Sequence, residues 1–448
     1  MEINKALNSD SFPSTVDKLN FVDHISKFLG LAVSQLYLLC ALITCYEVIS
    51  RYVFDAPTQW AFETVMVLCA SAWMLSAGYI TLHKRHIGIT VIYIMVDKAK
   101  QWYLDLFAYV IGIVALWMFV DDTLVRAIES VMMVERAGSA WNSPQPLILK
   151  TMLVTGATVY LTQLLVNLYR HFDSKVAKNI ISGIAAFIIF RLILVFFEHA
   201  FELKGVIAIN EHLSSIAAYL EPTKYVDIRD IGIKWASILI VGLMILLMTT
   251  GMPLGIVTLF VSILSALFYF GFNGLYLVST NAFGLLEAYP LIAVPLFVLM
   301  ASILEKAGVA EDLFDAMQIF AGKLRGGVAI QTIVVAVILA AMSGVMGGEI
   351  VMLGLVALPQ MMRLGYNRKL AIGVVCASGA LATLIPPSII MIVYGLSANV
   401  AIGDLFMAGA VPGLMLATFY AIFTLIRCYI NPSLAPTLKK YLRLVEKK

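Results

Sequence analysis

The sequence predicts an all-α, polytopic membrane protein with about 10 membrane segments, one of them a re-entrant helical hairpin and one a broken helix. Three observations predict it. The 448 residues are 61% hydrophobic and only 13% charged, against about 25% charged in soluble domains. The apolar runs approach the roughly 20 residues that cross ~30 Å of hydrocarbon. The charges fall in short clusters between those runs. The net charge of +3 is small and gives no footprint for nucleic acid. The five cysteines (40, 45, 69, 376 and 428) form no CxxC pair and read as small membrane-buried hydrophobes. The first 28 residues are polar and show no cleavable signal.

The elements follow in order. Spans are expected over 29–50, 61–82, 104–120, 147–168 and 180–197. The run 87–96 is too short to cross, and 121–146 and 198–230 read as polar connections. Lys and Arg concentrate on cytoplasmic loops. The clusters at His83-Lys84-Arg85-His86 with Lys98 and Lys100, and at Arg170, His171, Lys175 and Lys178, therefore place the N-terminus in the cytoplasm, and Lys439, Lys440, Arg443, Lys447 and Lys448 place the C-terminus there too. Further spans are expected over 234–248, 254–272 and 289–304, with a tight inner turn at Gly251-Met252-Pro253. The segment 311–325 carries Leu313, Phe314, Met317 and Phe320 on one face and reads as an amphipathic surface helix.

Two stretches break this counting. From Gly326 to Met362 the only charge is Glu349, both flanks are basic, and the centre reads Ser343-Gly344-Val345-Met346-Gly347-Gly348. Glycine clusters disfavour helix, so a hairpin that dips in and returns fits. The alternative is a pair of short helices packed through small residues. The second stretch runs from Cys376 through Ser378, Ala382, Thr383 and Ile385 to Pro386-Pro387-Ser388. Consecutive prolines remove two backbone donors, and the freed carbonyls are cation ligands; broken helices near the midplane bind ions and substrates in many secondary transporters. A proline kink without a ligand is the plainer reading. Glu349 is either a functional group at membrane depth or a tip residue that simply reaches water. Glu47 and Glu63 flank Arg51 and read as paired structural charges ahead of a proton relay, and Arg191 pairs or snorkels. Histidine spacing suits no metal, and no triad, phosphate loop or nucleotide motif occurs, which argues against an enzyme and an ATP-driven pump.

The residues Tyr289-Pro290-Leu291, Met342-Ser343-Gly344, Leu364-Gly365-Tyr366, Ile385-Pro386-Pro387-Ser388, Tyr394-Gly395 and Ala410-Val411-Pro412-Gly413 resemble the large membrane subunit of tripartite ATP-independent periplasmic (TRAP) transporters. The stretch Tyr46 to Phe54, with Pro57, Trp60 and Glu63, resembles the small subunit. The resemblance implies a small–large fusion: residues 1–175 as a four-helix scaffold, 176–232 as a connecting helix and periplasmic segment, and 233–448 as the first half of a transport domain. It implies a bacterial inner-membrane permease that takes small organic acids, carboxylates or related anions, from a periplasmic binding protein and imports them with sodium, without another cofactor. Carried over by position, the sodium site falls on Ser343 and on carbonyls of Ala382, Ile385 and Pro387. Gly344, Glu349, Ser378, Thr383 and Ser388 are candidates for substrate contact or gating. Val345 and Met346 depart from the small polar residues usual after Ser-Gly. The sequence ends after one repeat of the large subunit, which implies a second chain supplying the other repeat or, alternatively, a truncated scaffold that does not transport.

Overall fold

A computed structural model describes residues 20–201, 231–321 and 324–435. It is 83% helical, without strands among the described residues. Among the described residues, eight helical stretches are long and apolar enough to cross a bilayer, and three shorter apolar helices accompany them. The protein is thus an all-α polytopic membrane protein. Residues 1–19 of the N-terminal polar stretch, most of 198–230 and the basic tail after Ala435 lie outside the described residues.

Packing divides the chain into two compact units, Met1–Glu287 and Ala288–Lys448. The first contains α1 (Phe21–Val53), α2 (Ala61–Leu82), the short α3 (Val91–Met95), α4 (Lys98–Met132), α5 (Gln145–His171), α6 (Lys175–Phe201), α7 (Ile233–Thr249), α8 (Leu254–Phe270) and α9 (Leu275–Leu286). Helices α1, α2, α4 and α5 meet through small residues, as bilayer helices do when backbones approach closely. A methyl on Gly156 would sit 2.5 Å from the Met74 carbonyl oxygen, and one on Gly78 would sit 2.5 Å from Val159. Residues 233–287 pack with this unit: Ile256 and Val257 of α8 share a core with Ile111 and Leu116 of α4 and Leu164 of α5. Ile263 and Leu267 do the same with Ala115 and Phe119.

A polar clasp closes one end of the bundle. Asp23 is fully buried. Its carboxylate accepts hydrogen bonds from the Arg170 guanidinium (3.1 Å from Nη1), from Gln163 Nε2 at 3.0 Å and from the Asn20 N–H at 2.8 Å. Ser26 donates to Gln163 at 2.7 Å, and Asn167 donates to the Thr81 carbonyl at 3.2 Å. Helices α1, α2 and α5 are thereby fixed in register. Asp23→Ala leaves Arg170 and Gln163 without their acceptor, and is expected to cost about 2 kcal/mol. Thermal melting of the purified chain in detergent checks this: Asp23→Ala should lower Tm by several degrees, and Asp23→Asn by less.

The loops of this unit sort to two ends. The segment after α2 meets the turn between α7 and α8, with Leu254 N–H on the Ile87 carbonyl at 2.9 Å and a bridge between Gly88 and Pro253. Gly251 makes that turn at φ 87°, where an L side chain is disfavoured. At the other end Glu63 accepts from Ser143.

Several expectations need correction. Helix α4 does not stop at Val120; it runs to Met132, because Asp122 and Arg126 pair one turn apart (3.2 Å) and both reach Ser279 of α9. Charges that read as a loop are satisfied inside a helix. Helix α9 itself went unforeseen. Glu63 does not join Glu47 and Arg51. Arg51 pairs with Glu47 at 2.5 Å, and Glu63 is taken by Ser143. Arg191 does pair, with Asp121 at 3.4 Å. Cys45 and Cys376 are exposed, while Cys40, Cys69 and Cys428 are buried.

The second unit begins with a 3-10 turn (Tyr289–Ile292) and continues as α10 (Ala293–Lys306), α11 (Val309–Ala321), α12 (Gly327–Ser343), α13 (Met346–Arg363), α14 (Arg368–Gly379), a 3-10 turn (Ala380–Thr383), α15 (Ile389–Ala398) and α16 (Ile402–Ile430). Its core surrounds α12: Ala336, Leu339 and Ala340 contact a cluster that includes Leu353, Met361, Ala371 and Leu381. The amphipathic α11 spends its apolar face on this core. Phe314 is 1% exposed, Leu313 and Met317 pack beside it, and Gln331 of α12 donates to the Phe314 carbonyl. The face expected to lie on a membrane surface is covered by protein.

Candidate functional site

The hairpin turns in two residues, Gly344 and Val345, between α12 and α13. Gly344 sits at φ 63° and donates its N–H to the Ala340 carbonyl at 3.2 Å. It is the left-handed cap that ends a helix. The Gly344 carbonyl faces the Ile389 N–H at 3.5 Å, and a methyl on Gly344 would overlap the Pro387 carbonyl oxygen. The hairpin tip is therefore seated on the broken helix.

The break has a simple cause. Helix α14 tightens into a 3-10 turn over Ala380–Thr383, and the i+4 partners of Ala382 and Thr383 are Pro386 and Pro387, which have no N–H. Thr383 recovers one bond, because Ser388 Oγ donates to its carbonyl at 2.9 Å. The Thr383 hydroxyl turns back to the Ala380 carbonyl at 2.8 Å. The carbonyls of Ala382, Ile385 and Pro387 receive no backbone hydrogen bond among the described residues. Helix α16 closes on the break through glycines: a methyl on Gly413 would sit 2.9 Å from Ile385 Cγ1, and one on Gly409 would collide with Met391. Gly379 likewise admits Ile350 of α13.

Ser343 and Glu349 meet across the tip. Ser343 Oγ donates to Glu349 Oε1 at 2.6 Å. Glu349 is 1% exposed and Ser343 4%, and Glu349 Oε2 has no partner among the described residues. Burial excludes the reading in which Glu349 merely reaches water. Because the Ser343 proton is committed to Glu349, the Ser343 lone pairs are left for another electrophile. The tip thus carries a serine oxygen held by a buried carboxylate, and the break beside it carries carbonyls without backbone partners; neutral oxygens of this kind suit a hard cation.

Ser343, Gly344 and Glu349 of the hairpin are gathered at the seat on Pro387 and Ser388, with Ile385 beneath α16. Ser378 stands apart. It is fully buried without a partner, and it lines a cleft between α14 and α16. Sequence reasoning missed Gly379 and Gly409 as packing positions. The small-xxx-small spacing of Gly409 and Gly413 carried a signal; Gly379 carried none.

Comparison with known proteins places these elements. A family model described as the TRAP transporter DctQ component matches residues 40–174, and one described as the DctM component matches residues 241–447. The chain belongs to the TRAP transporter family. It joins small- and large-component regions in one polypeptide, and the hairpin and break lie in the DctM-like part. Its TRAP relatives include the C4-dicarboxylate large permease protein DctM of Rhodobacter capsulatus, 34% identical over 203 residues (42% of this chain, 46% of the relative). The ectoine large permease protein TeaC of Halomonas elongata is 35% identical over 196 residues (43% and 45%). The isethionate permease protein DctMQ of Oleidesulfovibrio alaskensis is 35% identical over 138 residues (31% and 22%). The matches span less than half the length of these TRAP relatives.

Proposed function

We propose that this chain is the membrane permease component of a secondary transporter that imports small organic anions, carboxylates or related acids, delivered by a periplasmic solute-binding protein and coupled to sodium. The observation that carries the reading is the seating of the hairpin tip on the broken helix, where buried oxygens lack partners. Ser343 Oγ and the carbonyls of Ala382, Ile385 and Pro387 would hold the ion, with the Glu349 carboxylate orienting Ser343. Bound sodium supplies positive charge that offsets the cost of bare backbone oxygens in a low-dielectric setting. Gly344 lets the tip reach the break, and Ser388 keeps the Thr383 carbonyl occupied. Relatives named for C4-dicarboxylate, ectoine and sialic acid support an organic-acid substrate. The DctQ-like region is the scaffold.

Sodium-dependent uptake in proteoliposomes, with a binding protein encoded nearby, tests this. The assay is run with this chain alone and with a polypeptide covering the rest of the relatives' length. Saturable uptake that collapses when choline replaces sodium is the expected result. Uptake absent in both arms, or a binding protein that fails to associate, favours a non-transporting scaffold.

The proposal includes an inner-membrane location with both termini in the cytoplasm. Single cysteines introduced at 198–230 should react with an impermeant maleimide from the periplasmic side, and those at 83–100 should not. The reverse pattern inverts the assignment.

A further inference from the structure

The cleft between α14 and α16 is separate from the hairpin seat. It encloses about 560 Å³, within the range of sites for small molecules. On α14 its lining runs from Lys369 to Ser378, about 13 Å at 1.5 Å per residue. Its two ends differ in chemistry. At the mouth stand Lys369 and Arg427, both exposed, and neither has an acidic partner among the described residues. Thr424, one turn before Arg427, is 3% exposed, and at the inner end Ser378 is fully buried with a hydroxyl that has no partner among the described residues. The walls between are apolar, including Val374 and Phe423, and Gly373 adds no side chain: a methyl there would meet nothing within 4 Å.

From this we infer that the cleft binds a small organic monoanion, its charged end between Lys369 and Arg427 and a hydroxyl or carbonyl at its far end on Ser378. Two cations at one end with no acidic partner among the described residues, Arg427 lying also 5.9 Å from the centre of the Phe423 ring, call for a single anionic group. A buried hydroxyl without a partner costs free energy that a polar ligand atom recovers. The same hydroxyl argues against a phospholipid, whose acyl chain would fill the inner end and leave Ser378 unsatisfied. The inference does not depend on the sodium site.

The test uses the full chain in phosphatidylcholine nanodiscs with three six-carbon probes: gluconate, hexanoate and glucose, measured by titration calorimetry. Gluconate should bind saturably, hexanoate more weakly and glucose not at all. The double variant Lys369→Gln/Arg427→Gln should weaken gluconate at least tenfold. Ser378→Ala should reduce gluconate to the affinity of hexanoate. Gly373→Leu, which adds bulk where a Cβ meets nothing within 4 Å, should abolish binding while leaving the melting temperature unchanged. Absence of saturable binding by either anion overturns the inference, as does binding indifferent to Gly373→Leu. Selective retention of phosphatidylglycerol through Lys369 and Arg427 also overturns it and makes the cleft a lipid headgroup site.

Discussion

Gly344→Ala is expected to remove sodium-dependent uptake almost completely while both hairpin helices stay folded. Two effects add. An alanine at φ 63° costs about 1–2 kcal/mol relative to glycine, and its methyl overlaps the Pro387 carbonyl oxygen, so the tip must lift off the break. Gly347 and Gly348 supply the control. Neither has a positive φ, and a methyl on either meets nothing within 4 Å. Gly347→Ala and Gly348→Ala should therefore transport like the parent. Uptake by the Gly344 variant equal to that of these two, with unchanged circular dichroism, would show that the seating of the tip is irrelevant to transport.

The second large effect belongs to the Ser343–Glu349 pair. Ser343→Ala removes one oxygen from the proposed ion site, and the sodium concentration for half-maximal uptake should rise about tenfold, equivalent to ~1.4 kcal/mol. Glu349→Gln keeps an oxygen to accept from Ser343, so its sodium dependence should stay close to the parent. Glu349→Leu strands the buried Ser343 hydroxyl, which costs about 1–3 kcal/mol, and should impair transport and stability together. If Glu349→Gln abolishes uptake and Ser343→Ala leaves the sodium requirement unchanged, the pair carries protons instead.

The fold was largely legible because membrane helices are written in long apolar runs. Helix α2 begins and ends where hydropathy places it, at Ala61 and Leu82, since charge density changes abruptly there. Hydropathy failed where charges are neutralised inside helices. Asp122 and Arg126 looked like loop residues because their partner, Ser279, lies 153 residues or more away in sequence. The hairpin and the break were readable from Gly344 and the two prolines, whose backbone limits are local properties. The bond between Ser343 and Glu349 was not, because six residues across an unknown turn fix no direction for either side chain. The role of Gly379 was equally hidden, since only the position of Ile350 reveals it.

The shared core of α4 and α8 lies on both sides of the gap between the DctQ match, which ends at residue 174, and the DctM match, which starts at 241. Gly112 of α4 is so close to Ile256 of α8 that a methyl would sit 2.9 Å from its Cδ1. Were the two regions separate polypeptides, this contact would be an intersubunit interface, occupied according to expression level and lipid dilution. Covalent linkage makes it unimolecular, with a local concentration on the order of millimolar. Stoichiometry is then locked at one to one, and a mutation that weakens the α4–α8 contact is buffered against dissociation. Cutting the chain between 202 and 230 should expose that buffering as a new dependence of assembly on copy number.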